Sequence, residues 1–169
     1  MRHEEVSELI EYLFWVRDRI LTASAALTES EFRSGDTVTT RDLRATLVHQ
    51  LENEWAWRIR LSEGAFPVGD FFPTDYPNLD ALVDHWRREE RDLRAWFERL
   101  SDRDLAAQPP GDDNALALWR YLLHVVNHGT QQFAEAAVQL TRLGHSPGEI
   151  GYLAFCLSPG IATRPSPSD

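Results

Sequence analysis

A single cysteine, Cys156, occurs in the 169 residues. No intrachain disulfide can form, and thiolate zinc clusters are excluded. No apolar run approaches the roughly 20 residues of a membrane span, and the opening MRHEEVSEL lacks the apolar core of a signal peptide. These absences predict a soluble cytoplasmic protein with no membrane partner. Positive charge is also scarce: 17 Lys and Arg stand against 27 Asp and Glu, giving a formal net charge of −10 with no basic block. Nucleic-acid backbones and anionic membrane surfaces select for basic patches, so neither is an expected partner. The chain has no GxSxG elbow, no phosphate-loop or dinucleotide-binding glycine pattern, and no credible strand.

What is present is helical periodicity. From Glu5 to Leu27, Val6, Leu9, Ile10, Leu13, Val16 and Ile20 recur at helical steps and predict a first long helix. Thr28 and Glu31 form a capping box for a short turn through Phe32. Thr39 or Thr40 is expected to cap a second helix, Arg41 to Leu61, which Gly64 stops. The stretch 64–77 carries Phe66, Phe71, Phe72 and Tyr76 and is expected to be a packed loop over one end of the domain. Asn78 caps a third helix, Leu79 to Leu100, in which the run Arg87 to Asp92 reads as a solvated charged face. After a further cap at Ser101 and a Pro-Pro-Gly break, Asp113 or Asn114 is expected to open a fourth helix that ends at Gly144. Ser146-Pro147 then predicts a short last helix ending near Leu157.

The segments 27–32 and 100–105 echo each other, as do 47–49 and 122–124, which suggests two similar helical hairpins. The expected fold is all-α: a four-helix bundle with a short extra C-terminal helix, one domain over residues 1–157, and a disordered tail over 158–169.

The chemical clue is a row in the fourth helix. His124, His128 and Gln132 follow at four-residue spacing, so they share a helix face, opposite the apolar stripe of Leu122, Val126, Phe133 and Leu140. That face meets either solvent or a polar cavity. His49 lies in the middle of the second helix among Glu52 and Asn53, and imidazoles from facing helices are a usual way for a bundle to hold a metal. The same pattern also suits ordinary polar helix faces. Glu52 and Glu135 are candidate proton acceptors beside the row, and Tyr121, one turn before His124, is a candidate hydrogen-bond donor. Solvent is the commoner fate of such side chains. His145, just past Gly144, is expected at the carbonyl end of the fourth helix.

Three stretches carry a family resemblance: Tyr12-Leu13-Phe14-Trp15 with Arg17; Leu43 to His49 followed by Glu54-Trp55-Ala56-Trp57; and His124-Val125-Val126-Asn127-His128-Gly129-Thr130-Gln131. In these the sequence resembles the DinB/YfiT-like family of metalloenzymes, over roughly residues 5 to 157. The resemblance implies a four-helix bundle, often dimeric, with a divalent ion such as zinc or nickel on three histidines. Carried over, two of those positions fall on His49 and His128. The third falls on Gln132, where relatives have histidine, and Phe133 follows where they have arginine. A carboxamide oxygen is a weaker donor than imidazole for such metals, so the implied site is weak or lost. Gln132, His124, Glu52 and Glu135 are the candidates to complete it, Gln132 first because it needs no rearrangement. The resemblance implies a homodimer and an enzyme using a small-molecule thiol or water, as a transferase or hydrolase. The competing reading is a non-catalytic binding or dimerisation protein with a decayed site.

Overall fold

The computed structural model describes residues 1–159 and 161, and among these the chain is all-helical. The helices are α1 (His3–Ser24), α2 (Glu29–Phe32), α3 (Leu43–Glu63), α4 (Leu79–Phe97), α5 (Asp102–Ala106), α6 (Leu118–Arg142) and α7 (Tyr152–Cys156), with a 3-10 turn at Pro73–Asp75. The long helices α1, α3, α4 and α6 form the bundle, with α6 packed along α1 and α3, and α4 against α3. Leu13, Ile20, Leu47, Leu51, Leu82, Trp86, Phe133 and Leu140 close its main core.

Helix ends follow local chemistry, and several differ from expectation. The Asp42 carboxylate, rather than Thr39 or Thr40, caps α3 by accepting the Ala45 amide at 2.8 Å. The Thr39 hydroxyl instead donates to the Arg41 carbonyl. Gly64 ends α3 with φ of 88°, a left-handed conformation that glycine adopts without strain. α6 opens at Leu118, not at Asp113 or Asn114. The Asp112 carboxylate accepts the amides of Asn114 and Leu116, building a turn that uses up those donors before the helix begins. At the other end Gly144 is left-handed, and its amide and that of His145 bond back to Thr141 and Leu140. It is thus the backbone of His145 that caps the helix. The last helix starts at Tyr152 and not at Ser146-Pro147, because Gly148 turns left-handed with its amide on the Ser146 hydroxyl.

The run Arg87 to Asp92 is only partly a solvated face. Glu89 is 3% exposed and receives both Nε and Nη2 of Arg58 from α3. Glu90 joins Arg17 of α1 to Arg94. Inward-facing carboxylates therefore tie α4 to its neighbours. The expected tail begins at Ser158, whose hydroxyl donates to the Ala154 carbonyl at 2.8 Å. Residues 160 and 162–169 of that tail lie outside the described residues.

Candidate metal centre

α3 and α6 run antiparallel. Thr46 meets Gln139, Gln50 meets His128, and Trp57 meets His124, in opposite order along the two helices. This register sets His49 beside His128, with ring centroids 5.3 Å apart. Gln132 lies one turn beyond His128 along α6, in the direction of Gln139, which meets Thr46.

The row on α6 does not lie flat on a polar face. A four-residue step overshoots one helical turn by about 40°, so a row at this spacing winds around the helix. His124 is exposed, His128 half-buried, and Gln132 only 7% exposed. The row starts at the rim and ends in the core. Gln132 Oε1 is buried with no hydrogen-bond partner among the described residues, a costly state for a polar atom unless something binds it.

Both imidazoles of the pair are held neutral. Burial, with help from His49, His124 and Arg41, pushes the His128 pKa down to about 4. Burial and Arg41 lower that of His49, against the pull of Glu52 and Glu135. Neutral rings keep a lone pair for a ligand at physiological pH. His128 Nδ1 is 2.9 Å from Gln50 Oε1, an acceptor, which leaves Nε2 as the bare nitrogen.

The other expected residues divide. Glu52 reaches within 3.9 Å of His49 Nδ1, while its other oxygen accepts the Phe71 amide at 3.1 Å. The 64–77 loop therefore packs along α3 beside this centre rather than over one end, with Phe71 stacked on Trp55. Glu135 is half-buried, and its Oε2 has no hydrogen-bond partner among the described residues. His124 packs edge-on against Trp57 and lies 6.2 Å from His128 by ring centroids. Tyr121 is not brought to the pair through its hydroxyl, which donates to Asp112 in the preceding loop.

A model of the DinB family matches residues 1–159. The chain belongs to the DinB family. No curated protein matches it significantly. In this DinB-family chain no three His, Cys, Asp or Glu side chains converge as a metal-binding group among the described residues. The donor set that remains is two neutral imidazoles and one amide oxygen. Gln132 Oε1 is a buried acceptor without a hydrogen-bond partner among the described residues, one turn from a histidine whose Nδ1 is already engaged, which is the donor chemistry a divalent ion would use.

Beneath the pair lies a polar chain to which sequence reasoning assigned no role. Gln50 donates Nε2 to Glu54 Oε1 at 2.8 Å, and the Trp86 indole donates to Glu54 Oε2 at 2.8 Å. Burial raises the Glu54 pKa to about 7, with Arg17, Gln50 and Trp86 opposing the rise. The signal was in the spacing: Leu43, Leu47, Gln50, Glu54 and Leu61 follow the inward positions of α3, and two of these are polar.

Proposed function

We propose that this DinB-family protein is a metal-dependent enzyme with a weak divalent site, acting on a small-molecule thiol or water as an S-transferase or hydrolase. The observation that carries the reading is the buried, unpartnered Gln132 Oε1 one turn from His128. His49 and His128 hold the ion through imidazole nitrogens, and Gln132 adds its amide oxygen as a weaker third donor. Such an ion supplies the Lewis acidity that turns a thiol or a water into a nucleophile near neutral pH. Glu135 is the proton acceptor this reading favours, since its Oε2 has no hydrogen-bond partner whereas Glu52 already holds the Phe71 amide. Trp57 packs edge-on against His124 at the rim of the centre. A homodimer in the cytoplasm completes the proposal.

Calorimetric titration of tag-free protein with nickel and zinc tests it. One saturable site per chain, lost in His49→Ala and in His128→Ala, is the expected result. Absence of saturable binding by the folded protein overturns it and leaves the non-catalytic binding or dimerisation reading. Sedimentation of the same sample decides the dimer.

A further inference from the structure

Four side chains from three helices form one directed hydrogen-bond chain: Trp86 on α4, Glu54 and Gln50 on α3, and His128 on α6. Its polarity is set at one end by chemistry that has no alternative. An indole N–H can only donate, so Glu54 Oε2 must accept. Above about pH 7, where Glu54 is ionised, it has no proton to give at Oε1 either, so the group facing it must be the Gln50 amide nitrogen. The Gln50 carbonyl oxygen then faces His128 and requires a proton on Nδ1. Each step removes one choice from the next.

We propose that Gln50 and Glu54 are positioning residues that lock His128 in its Nδ1–H tautomer, with Nε2 bare and the ring held in one orientation. Their role in metal binding rests on the function proposed above, but the tautomer does not. Free imidazole side chains prefer the opposite tautomer, so the environment has to impose this one. Two further features support a built device. Gln50 and Glu54 are 0% and 2% exposed, so no water competes for their hydrogen bonds. Gly129, the residue after His128, makes room for the chain: a Cβ there lies 2.9 Å from Gln50 Nε2 and 2.2 Å from Leu13 Cδ1. Arg17 places a buried positive charge near Glu54 and favours the ionised acceptor.

The same logic explains why a carboxylate stands two groups away from the histidine. A carboxylate in direct contact with His128 raises the histidine pKa and favours its protonation. Passed through the neutral Gln50 amide, the orienting effect arrives without a charge at the ring. His128 stays neutral and oriented at once.

The test is long-range 1H–15N correlation spectroscopy of the metal-free full chain at pH 8, with the His128 signals assigned by their loss in His128→Asn. The expected spectrum shows a pyrrole-type Nδ1 and a pyridine-type Nε2. In Gln50→Met, a substitution of similar shape, His128 should move to a mixture of tautomers or to Nε2–H. An Nε2–H tautomer in the wild type overturns the proposal even if the variant does not fold, and so does an unchanged tautomer in folded Gln50→Met. Nickel titration of the same samples separates the two readings. Gln50→Met should bind nickel about 10- to 100-fold more weakly than wild type, the range for loss of an outer partner of a ligating histidine. If the wild type takes up no nickel, the proposed function fails while the tautomer result still decides the positioning chain.

Discussion

The indole N–H of Trp86 donates to the Glu54 carboxylate at 2.8 Å, joining α4 to α3 at a point where neither side chain is more than 2% exposed. A carboxylate this deep is held by donors and by the nearby Arg17, yet burial still dominates and its pKa stands near 7.

The sign of the resulting pH dependence is fixed by that shift. The folded state keeps a proton on Glu54 up to about pH 7, whereas the unfolded chain gives it up near the ordinary carboxyl value of 4.5. Folded protein therefore binds more protons between these values, and the Glu54 contribution to stability falls as pH rises through that window. The full difference is about 3 kcal/mol. Urea unfolding of wild type and Glu54→Gln from pH 5 to 8 should show the variant gaining on the wild type by most of that amount. A constant difference across the range would refute the raised pKa.

Restoring an imidazole at the third ligand position should tighten the site. Gln132→His is expected to raise nickel or zinc affinity by at least the ~10-fold that a single supporting partner contributes. Titration calorimetry measures it, with His49→Ala in the same background as the control. Unchanged weak affinity would mean that His49 and His128 do not converge on a common ion.

Gly129 allows a stability prediction of mixed sign. Alanine improves helix propensity by about 1 kcal/mol, but its Cβ enters the space of Leu13 and Gln50. Leu13 is fully buried and cannot swing away freely. Overpacking of this kind costs ~1–3 kcal/mol. Gly129→Ala should be net destabilised, with its urea midpoint below that of wild type.

The Arg58 and Glu89 pair should behave unlike a surface salt bridge. Glu89 is 3% exposed and accepts from two guanidinium nitrogens. Glu89→Ala strands Arg58 with only Asp92 at 3.9 Å, and is expected to cost about 3 kcal/mol. Replacing both partners by methionine should cost much less, because no charge is then left without its partner. Denaturant curves of the single and double variants decide it, and equal losses would contradict the burial argument.

Local signals were enough to read the helices, because apolar spacing, capping side chains and stop glycines act within a turn or two of the residues concerned. The caps at Thr28, Asn78 and Ser101 appear where their sequence patterns place them. Misplaced ends had local causes too subtle to rank in advance. Asp42 competed with Thr39 and Thr40 for the cap of α3, and Asp112 took up the amides that Asn114 was expected to lead into a helix.

The sequence by itself determined an all-helical DinB-family chain, since periodicity repeats over whole helices and the His49 and His128 motifs stand in plain order. Only the tertiary structure decided which partners the inward-turned polar residues meet. Gln50, Glu54 and Glu89 have the composition of surface residues, and each becomes a core residue because a partner on another helix meets it: His128, Trp86 and Arg58. Such pairings depend on the antiparallel register of α3 against α6 and on the approach of α4. Those are long-range relations, and no local pattern in a single chain encodes them.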